Sequence, residues 1–354
     1  MRAATRVVRA AALVAVVTAV WGARPAAAQT SWGLGVLPSG ALLFCDRVRE
    51  TVWRINPDGS RDAAVTGVTC HALVSGPDGA VYGEHTPGDV TEARGVALWR
   101  ILSTGVREWV VTPTFDPPPG LWLARDEHAT FGWDGRGAGS ERSAIIRRDQ
   151  FDSVTTVSGN HRGQRDGNAL DASYDNVTGI SRAPDDTLVV VDSGNIRRVA
   201  ADGSVHTEAS HVVTDSHRGL TSLPGLWGRE EGVATDRDGN AVVVDAAAGR
   251  IVHISRTGTV TPIWEPAGWP QRLSGGRWGW RPAGVAMMGT TYYVVDEWMG
   301  PALLGGLIGS PRVSQVDRAG HVTRIAAVSD WIVRGALGAF LLIVVSLVAS
   351  RRQR

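Results

Sequence analysis

Residues Val157–Val205 read VSGNHRGQRDGNALDASYDNVTGISRAPDDTLVVVDSGNIRRVAADGSV. A Gly/Asp-rich segment runs into a short apolar strand at Gly179–Ser181, and a turn at Pro184–Asp186 leads to the apolar run Leu188–Val191. That run ends in Asp192-Ser193-Gly194-Asn195, followed by Ile196-Arg197-Arg198 and a second turn at Asp202-Gly203. Strand-length apolar runs separated by Gly/Asp turns predict consecutive antiparallel strands.

The same plan recurs along the chain, and recurrence at this period decides the fold. Gly232-Val233-Ala234 passes through Asp238-Gly239 to Ala241–Asp245 and then Arg250-Ile251. Gly284-Val285-Ala286 passes through Gly289 to Tyr292–Asp296. Gly35-Val36-Leu37 passes through Ser39-Gly40 to Leu42–Asp46, then Trp53-Arg54-Ile55. Ala72-Leu73-Val74 passes through Asp78-Gly79 to Val81-Tyr82, then Trp99-Arg100-Ile101. The faintest copy starts at Leu121 and reaches Phe131-Gly132-Trp133-Asp134, then Ile145-Ile146-Arg147. The unit resembles an NHL repeat, and its six copies imply an all-β, six-bladed β-propeller over roughly residues 31 to 327. In blade plan the chain also resembles gluconolactonase/regucalcin-like propellers. The resemblance implies no reaction, because this scaffold hosts binding, lactonase and lyase activities alike.

The two ends carry different signals. Arg2, Arg6 and Arg9 precede the apolar stretch Ala10–Ala23 and then Ala26-Ala27-Ala28, so residues 1–28 read as a secretory signal peptide. Residues 329–354 read as a C-terminal transmembrane anchor: Trp331–Ser350 approaches the roughly 20 residues that span a bilayer, and Arg351-Arg352-Gln353-Arg354 follows. The propeller is then expected over residues 29–328, outside the cytoplasm, in a bacterial periplasm or at a cell surface.

No lysine occurs among the 354 residues, which excludes lysine Schiff-base chemistry. With abundant Ala, Gly and Val, this usage points to a GC-rich bacterial genome. The formal net charge is +1, with no basic run inside the propeller region, so nucleic-acid binding has no electrostatic support. The two cysteines, Cys45 and Cys70, read as a disulfide in an exported chain.

In a blade whose strands A to D run antiparallel outward from the channel, B–C and D–A connections share one face. The short turns at Ser39-Gly40, Asp78-Gly79, Asp202-Gly203, Asp238-Gly239 and Thr257-Gly258 fall on the other face. The insertions at residues 86–96, 135–143, 161–177, 212–229, 267–281 and 297–311 all fall on the first, which is where function is expected. Closure is expected from packing of blade six on blade one, with Trp278, Trp280 and Trp298 as candidates for the seam.

Three groups of residues stand on the loop-rich face. Asp46, Asp134, Asp192, Asp245 and Asp296 each end a B strand; such a ring can hold a divalent cation, but repetition in nearly every blade favours a turn-capping role. Blade two breaks the pattern with Glu84 and His85 at that position and His71 ahead of strand A. Two imidazoles and a carboxylate suit a divalent metal or acid–base work, and equally a polar lining. Glu231 precedes strand A of blade five, where Leu34, His71, Gly120, Thr178 and Ala283 are its counterparts. In gluconolactonase-like propellers Asn and Asp ligands of a catalytic divalent cation stand there, and this chain has neither at that position. Alpha-amidating-lyase propellers use several His there, and only His71 matches. The ligand-binding candidates are therefore His71, Glu84, His85, Glu231 and Asp134. The apolar insertion Trp298–Gly309, WMGPALLGGLIG, is a lid, a partner patch or a membrane-dipping loop, or folds back on its blade. The expected function is binding of a protein or small ligand by a membrane-tethered propeller. The alternative is a divalent-cation-dependent gluconolactonase-like hydrolase.

The cysteine pair gives the first test. Intact-mass analysis after alkylation without reductant should show no free thiol, and reduction should lower unfolding stability by about 3 kcal/mol. Two alkylated cysteines in the unreduced protein would rule the bond out.

Overall fold

The computed structural model describes residues 33–46, 49–68, 70–75, 79–85, 97–102, 104, 106–111, 121–125, 129–135, 141–149, 153–213, 232–245, 248–264, 279–288, 290–299, 312–317 and 319–327. They form six four-stranded antiparallel sheets, each in the order A-B-C-D, and one short parallel pair. Blade one is Leu34–Val36, Leu42–Asp46, Thr51–Ile55 and Arg61–Thr66. Blade two is Cys70–Ser75, Val81–His85, Ala97–Ile101 and Arg107–Val111; blade three is Leu121–Arg125, Ala129–Asp134, Ala144–Asp149 and Val154–Ser158. Blade four is Val177–Arg182, Leu188–Asp192, Asn195–Val199 and Val205–Ala209; blade five is Val233–Thr235, Ala241–Asp245, Arg250–Ile254 and Val260–Trp264. Blade six is Gly279–Met288, Thr291–Met299, Arg312–Val316 and Val322–Ala327.

The apolar B strands explain this assembly. In blades one, four and five every residue of strand B is buried, because each blade is sandwiched between two others. Side chains alternate along a strand, so alternate residues serve opposite neighbours. Val190 packs with Phe131 and Trp133 of blade three, while Val189 and Val191 pack with Ala241 and Val243 of blade five. Val242 and Val244 face Tyr292 and Val294 of blade six. Tyr293 and Val295 in turn face Leu34, Leu42 and Phe44 of blade one, which closes the ring with no strand exchange among the described residues. Trp280 lies outside that seam cluster: its ring stacks on the Arg312 guanidinium, 3.7 Å from the centroid. Trp278 and the side chain of Trp298 lie outside the described residues.

The short turns need left-handed backbone. Gly40, Gly59, Gly203, Gly239, Gly258 and Gly320 have φ between 78° and 82°, and each donates its N–H to the carbonyl three residues back. Asp186 takes the same role in blade four at φ 66°. Every blade also has a register shift between strands C and D, beside the first or second residue of the paired part of C, as at Val52/Trp53, Ile196/Arg197 and Val313/Ser314. A repeated bulge adds the same extra twist to each outer strand.

Three expectations change. First, the insertion at 161–177 is ordered: His161–Arg162 pairs in parallel with Ser173–Tyr174, and Gly167 bridges to Val205 on strand D of blade four. Second, the assigned loops at 267–281 and 297–311 are partly strand. Gly279 pairs with Met299, Trp280 with Trp298 and Arg281 with Glu297, so the A and B strands of blade six run beyond the usual end at Asp296. Third, blade one is offset by two residues. Gly33 accepts the Cys45 N–H as Gly232 accepts that of Val244, so Gly33, not Gly35, matches Gly232. A Cβ on Gly232 would stand 3.0 Å from Gly284 Cα, so glycine here permits close approach of two innermost strands. Among the described residues no helix is long and apolar enough to cross a membrane; the signal peptide at 1–28 and the anchor at 329–354 lie outside them.

One buried ion pair joins blades four and five. The Arg198 guanidinium holds Glu208 through Nε and, at 3.1 Å, through Nη2; Nη2 also reaches the Gly239 carbonyl at 2.7 Å. Both side chains are almost wholly buried, so removing the carboxylate strands a charge. Glu208→Ala should cost about 3–5 kcal/mol, read as a lowered urea midpoint with an unchanged slope.

Candidate functional site

The ends of the B strands form the inner part of the loop-rich face. At each described end the repeated carboxylate meets an arginine. Asp46 Oδ2 accepts from Arg49 Nη1 at 2.9 Å and from Trp53 Nε1 at 3.2 Å. Asp134 pairs with Arg142 at 3.0 Å, Asp192 with Arg197 at 2.8 Å, Asp245 with Arg250 at 3.1 Å and Asp296 with Arg312 at 2.8 Å. Sequence reasoning missed these partners. The signal was present in blades four and five, where the arginine stands five residues after the aspartate, within strand C. In blades three and six an insertion intervenes and hides the spacing.

The second carboxylate oxygen usually takes a main-chain amide. Asp46 Oδ1 accepts from the Arg49 N–H, and Asp245 Oδ1 from that of Ala248. Asp192 Oδ1 accepts from Asp175 and Asn176, the end of the ordered insertion. Burial pushes the Asp192 carboxyl upward; the Asn176 amide and the Arg197 charge oppose that shift. Arg197 completes the anchor. It binds the carbonyls of Ser173 and Arg165 at 2.6 and 2.7 Å and Asp166 at 3.0 Å, and it stacks on Tyr174. Asp166 in turn accepts from the Thr207 amide at 2.7 Å. The aspartate and arginine of blade four thus bolt an insertion to the sheet.

Asp296 departs from this arrangement. Strand B continues through Met299 instead of turning, so no neighbouring turn supplies an amide, and Oδ1 has no hydrogen-bond partner among the described residues. The residue is fully buried, and burial pushes its carboxyl up to about 6 against the pull of the Arg312 and Arg324 charges and the Ser314 hydroxyl. Arg312 is lowered by the same desolvation. Across the blade five–six boundary, Arg281 is also lowered by burial, with the Asp245 charge acting in the opposite sense.

In blade two the backbone register pairs Cys70 with His85, and a bulge follows between Cys70 and Leu73. His85 thus occupies the place of the repeated aspartate, and His71 sits in the bulge at the same end of the same strand pair. The side chains of His71, Glu84, His85 and Cys70, and the whole of Glu231, lie outside the described residues. In blade one the offset makes Trp32, also outside them, the counterpart of Glu231 in place of Leu34. Cys45 is buried, and no described cysteine is free; its pairing with Cys70 falls on an undescribed side chain. Among the described residues no cluster of three His, Cys, Asp or Glu is placed to hold a metal ion.

No family model and no curated protein matches the chain. Solved structures do. A protein of unknown function from Bacteroides thetaiotaomicron superposes with a TM-score of 0.51 at 13% identity, covering 75% of this chain and 66% of that one. A gluconolactonase from Xanthomonas campestris gives 0.49 at 14%, covering 75% and 83%; virginiamycin B lyase from Staphylococcus aureus gives 0.45 at 13%, covering 83% of each. At such identities the likeness is one of fold, and the fold is the six-bladed β-propeller.

The Asp296 carboxyl sets a pH dependence. Its folded value near 6 lies above the ordinary range near 3.9, so the folded state binds the proton first. Its contribution to stability therefore increases as pH falls from about 6 to about 4 and is absent above that window. Compared with Asp296→Asn at each pH, the native chain should gain roughly 1–3 kcal/mol across this interval in urea unfolding. A constant difference between the two proteins would contradict the assignment.

Proposed function

We propose that this chain is an exported, membrane-tethered propeller that binds a protein or small ligand through its loop-rich face. The observation that carries the reading is the commitment of the repeated carboxylates. Asp46, Asp134, Asp192, Asp245 and Asp296 each face an arginine of their own blade, so the ring serves the scaffold rather than a cation. A carboxylate already neutralised by a guanidinium has little left to offer a divalent ion. Recognition then falls to positions freed of that duty, His71, Glu84, His85 and Glu231, and to the insertions around them. The alternative is a divalent-cation-dependent gluconolactonase-like hydrolase. It draws on one fact of register, that His71 and His85 share one end of a strand pair.

Metal content and turnover separate the two. The binding reading expects the purified full-length protein in detergent to hold no stoichiometric divalent ion and to leave glucono-1,5-lactone unhydrolysed above the uncatalysed rate. One bound ion per chain, with chelator-sensitive lactone hydrolysis, would establish the hydrolase instead. If Zn²⁺ binds at the blade-two position, affinity should fall as pH drops through about 6.5, the ordinary imidazole value. It should be lost in the combined His71→Ala, His85→Ala variant; unchanged binding there removes those residues from the site.

A further inference from the structure

The strand order fixes where the chain leaves the propeller. All six blades run antiparallel from A to D, so every D strand ends on the face that carries the B–C connections. In blade six strand D ends at Ala327, on the same face as Met299 at the end of strand B and Gly279 at the start of strand A. The next residues are Val328-Ser329-Asp330, and the apolar stretch begins at Trp331. Three residues fully extended reach no more than about 11 Å. Each headgroup layer of a bilayer is roughly 5–8 Å thick.

We propose that the loop-rich face, with the channel mouth, lies against the phospholipid headgroup layer, and that the extended ribbon of blade six is its deepest part. This rests on the reading of residues 331–350 as a membrane span. The linker is too short for the face to stand off by more than about one headgroup layer. The ribbon adds a second argument. Its pairs Arg281–Glu297, Trp280–Trp298 and Gly279–Met299 extend strands A and B beyond the level of Asp296, by about 10 Å at ordinary strand rise. Trp favours the headgroup level, and Trp280 stands in the middle pair of the ribbon. The sequence that continues it, Gly300-Pro301-Ala302-Leu303-Leu304-Gly305-Gly306, carries no charge. The glycine-turn face then points away from the membrane, about 17 Å higher, the height of a five-residue strand. A ligand bound at the mouth passes through the gap between face and bilayer.

Two exposed positions report the orientation. Glu50 stands between strands B and C of blade one, next to blade six on the loop-rich face, and Ala319 stands between strands C and D of blade six on the other. The full-length chain, as Glu50→Cys or Ala319→Cys, is labelled with nitrobenzoxadiazole without reductant and reconstituted in phosphatidylcholine–phosphatidylglycerol vesicles. The wild-type chain treated alike is the blank. Headgroup spin-labelled lipid should quench the Glu50 probe roughly threefold more than the Ala319 probe, given a strand height of separation. A Gly/Ser spacer of about 20 residues after Ala327, spanning about 25 Å, should abolish the difference. Equal quenching without the spacer, or stronger quenching at Ala319, overturns the orientation. On the unlabelled chain, vesicle-dependent amide protection of Gly279–Arg281 and Glu297–Met299 should vanish with the spacer; protection that persists also overturns it. Alkaline-carbonate extraction tests the tether separately: a chain released from vesicles removes the tether itself, whereas a retained chain with equal quenching removes only the orientation.

Discussion

The structure depends on burying both faces of every B strand. An isolated four-stranded blade covers neither face of its Val- and Leu-rich centre, and such a sheet is stable only when flanked on both sides. Six blades around an axis give each its two neighbours. The alternation of Leu42 and Phe44 toward blade six with Leu43 and Cys45 toward blade two shows the requirement in four residues. The ring therefore closes through the seam of Tyr293, Val295 and Phe44, made of the same kind of contacts as the other seams. Among the described residues no strand is exchanged between ends, and the seam is closed by packing.

Charges in this fold are placed where the packing leaves ends to be satisfied. Each B strand runs to the rim of the channel, where its last residue must turn back into strand C. An aspartate there takes turn amides with one oxygen and an arginine with the other, as Asp46 and Asp245 do. The pair is costly to bury and costlier to break, which makes it a device for fixing geometry more than for adding stability. Blade four uses it to hold an insertion in place, with Arg197 as the hub. Blade six keeps the pair while strand B runs on past Asp296, and its buried Oδ1 has no hydrogen-bond partner among the described residues. One repeated motif thus meets a turn in some blades and a continuing strand in blade six.

The same polarity of strands orders the surface. Short turns on one face need only left-handed residues such as Gly40 and Gly239, and leave no room for recognition. The opposite face collects the long connections and, in the proposed arrangement, the membrane.

Much of this was legible in the residues themselves. The apolar runs, the Gly/Asp turns and the six repeats determined blade number, strand order and the division into a short-turn face and a loop-rich face, because period-two alternation and left-handed turns are local demands. The recurrence of an aspartate at the end of strand B was likewise visible in the sequence. Other features were decided by tertiary structure. The identity of the arginine partners required folding, since Arg142 and Arg312 lie beyond insertions and meet Asp134 and Asp296 only through strand pairing. The register of blade one was misread by two residues because Gly33 and Gly35 are equally plausible starts in sequence; the hydrogen bond from Cys45 chooses Gly33. The ordered segment 161–177 and the extended strands of blade six read as loops, because their pairing, His161 with Ser173 and Gly279 with Met299, carries no apolar alternation that the sequence displays. The state of Asp296 was hidden because its sequence context matches that of Asp245, and what sets the two apart is that strand B runs on past Asp296 to Met299.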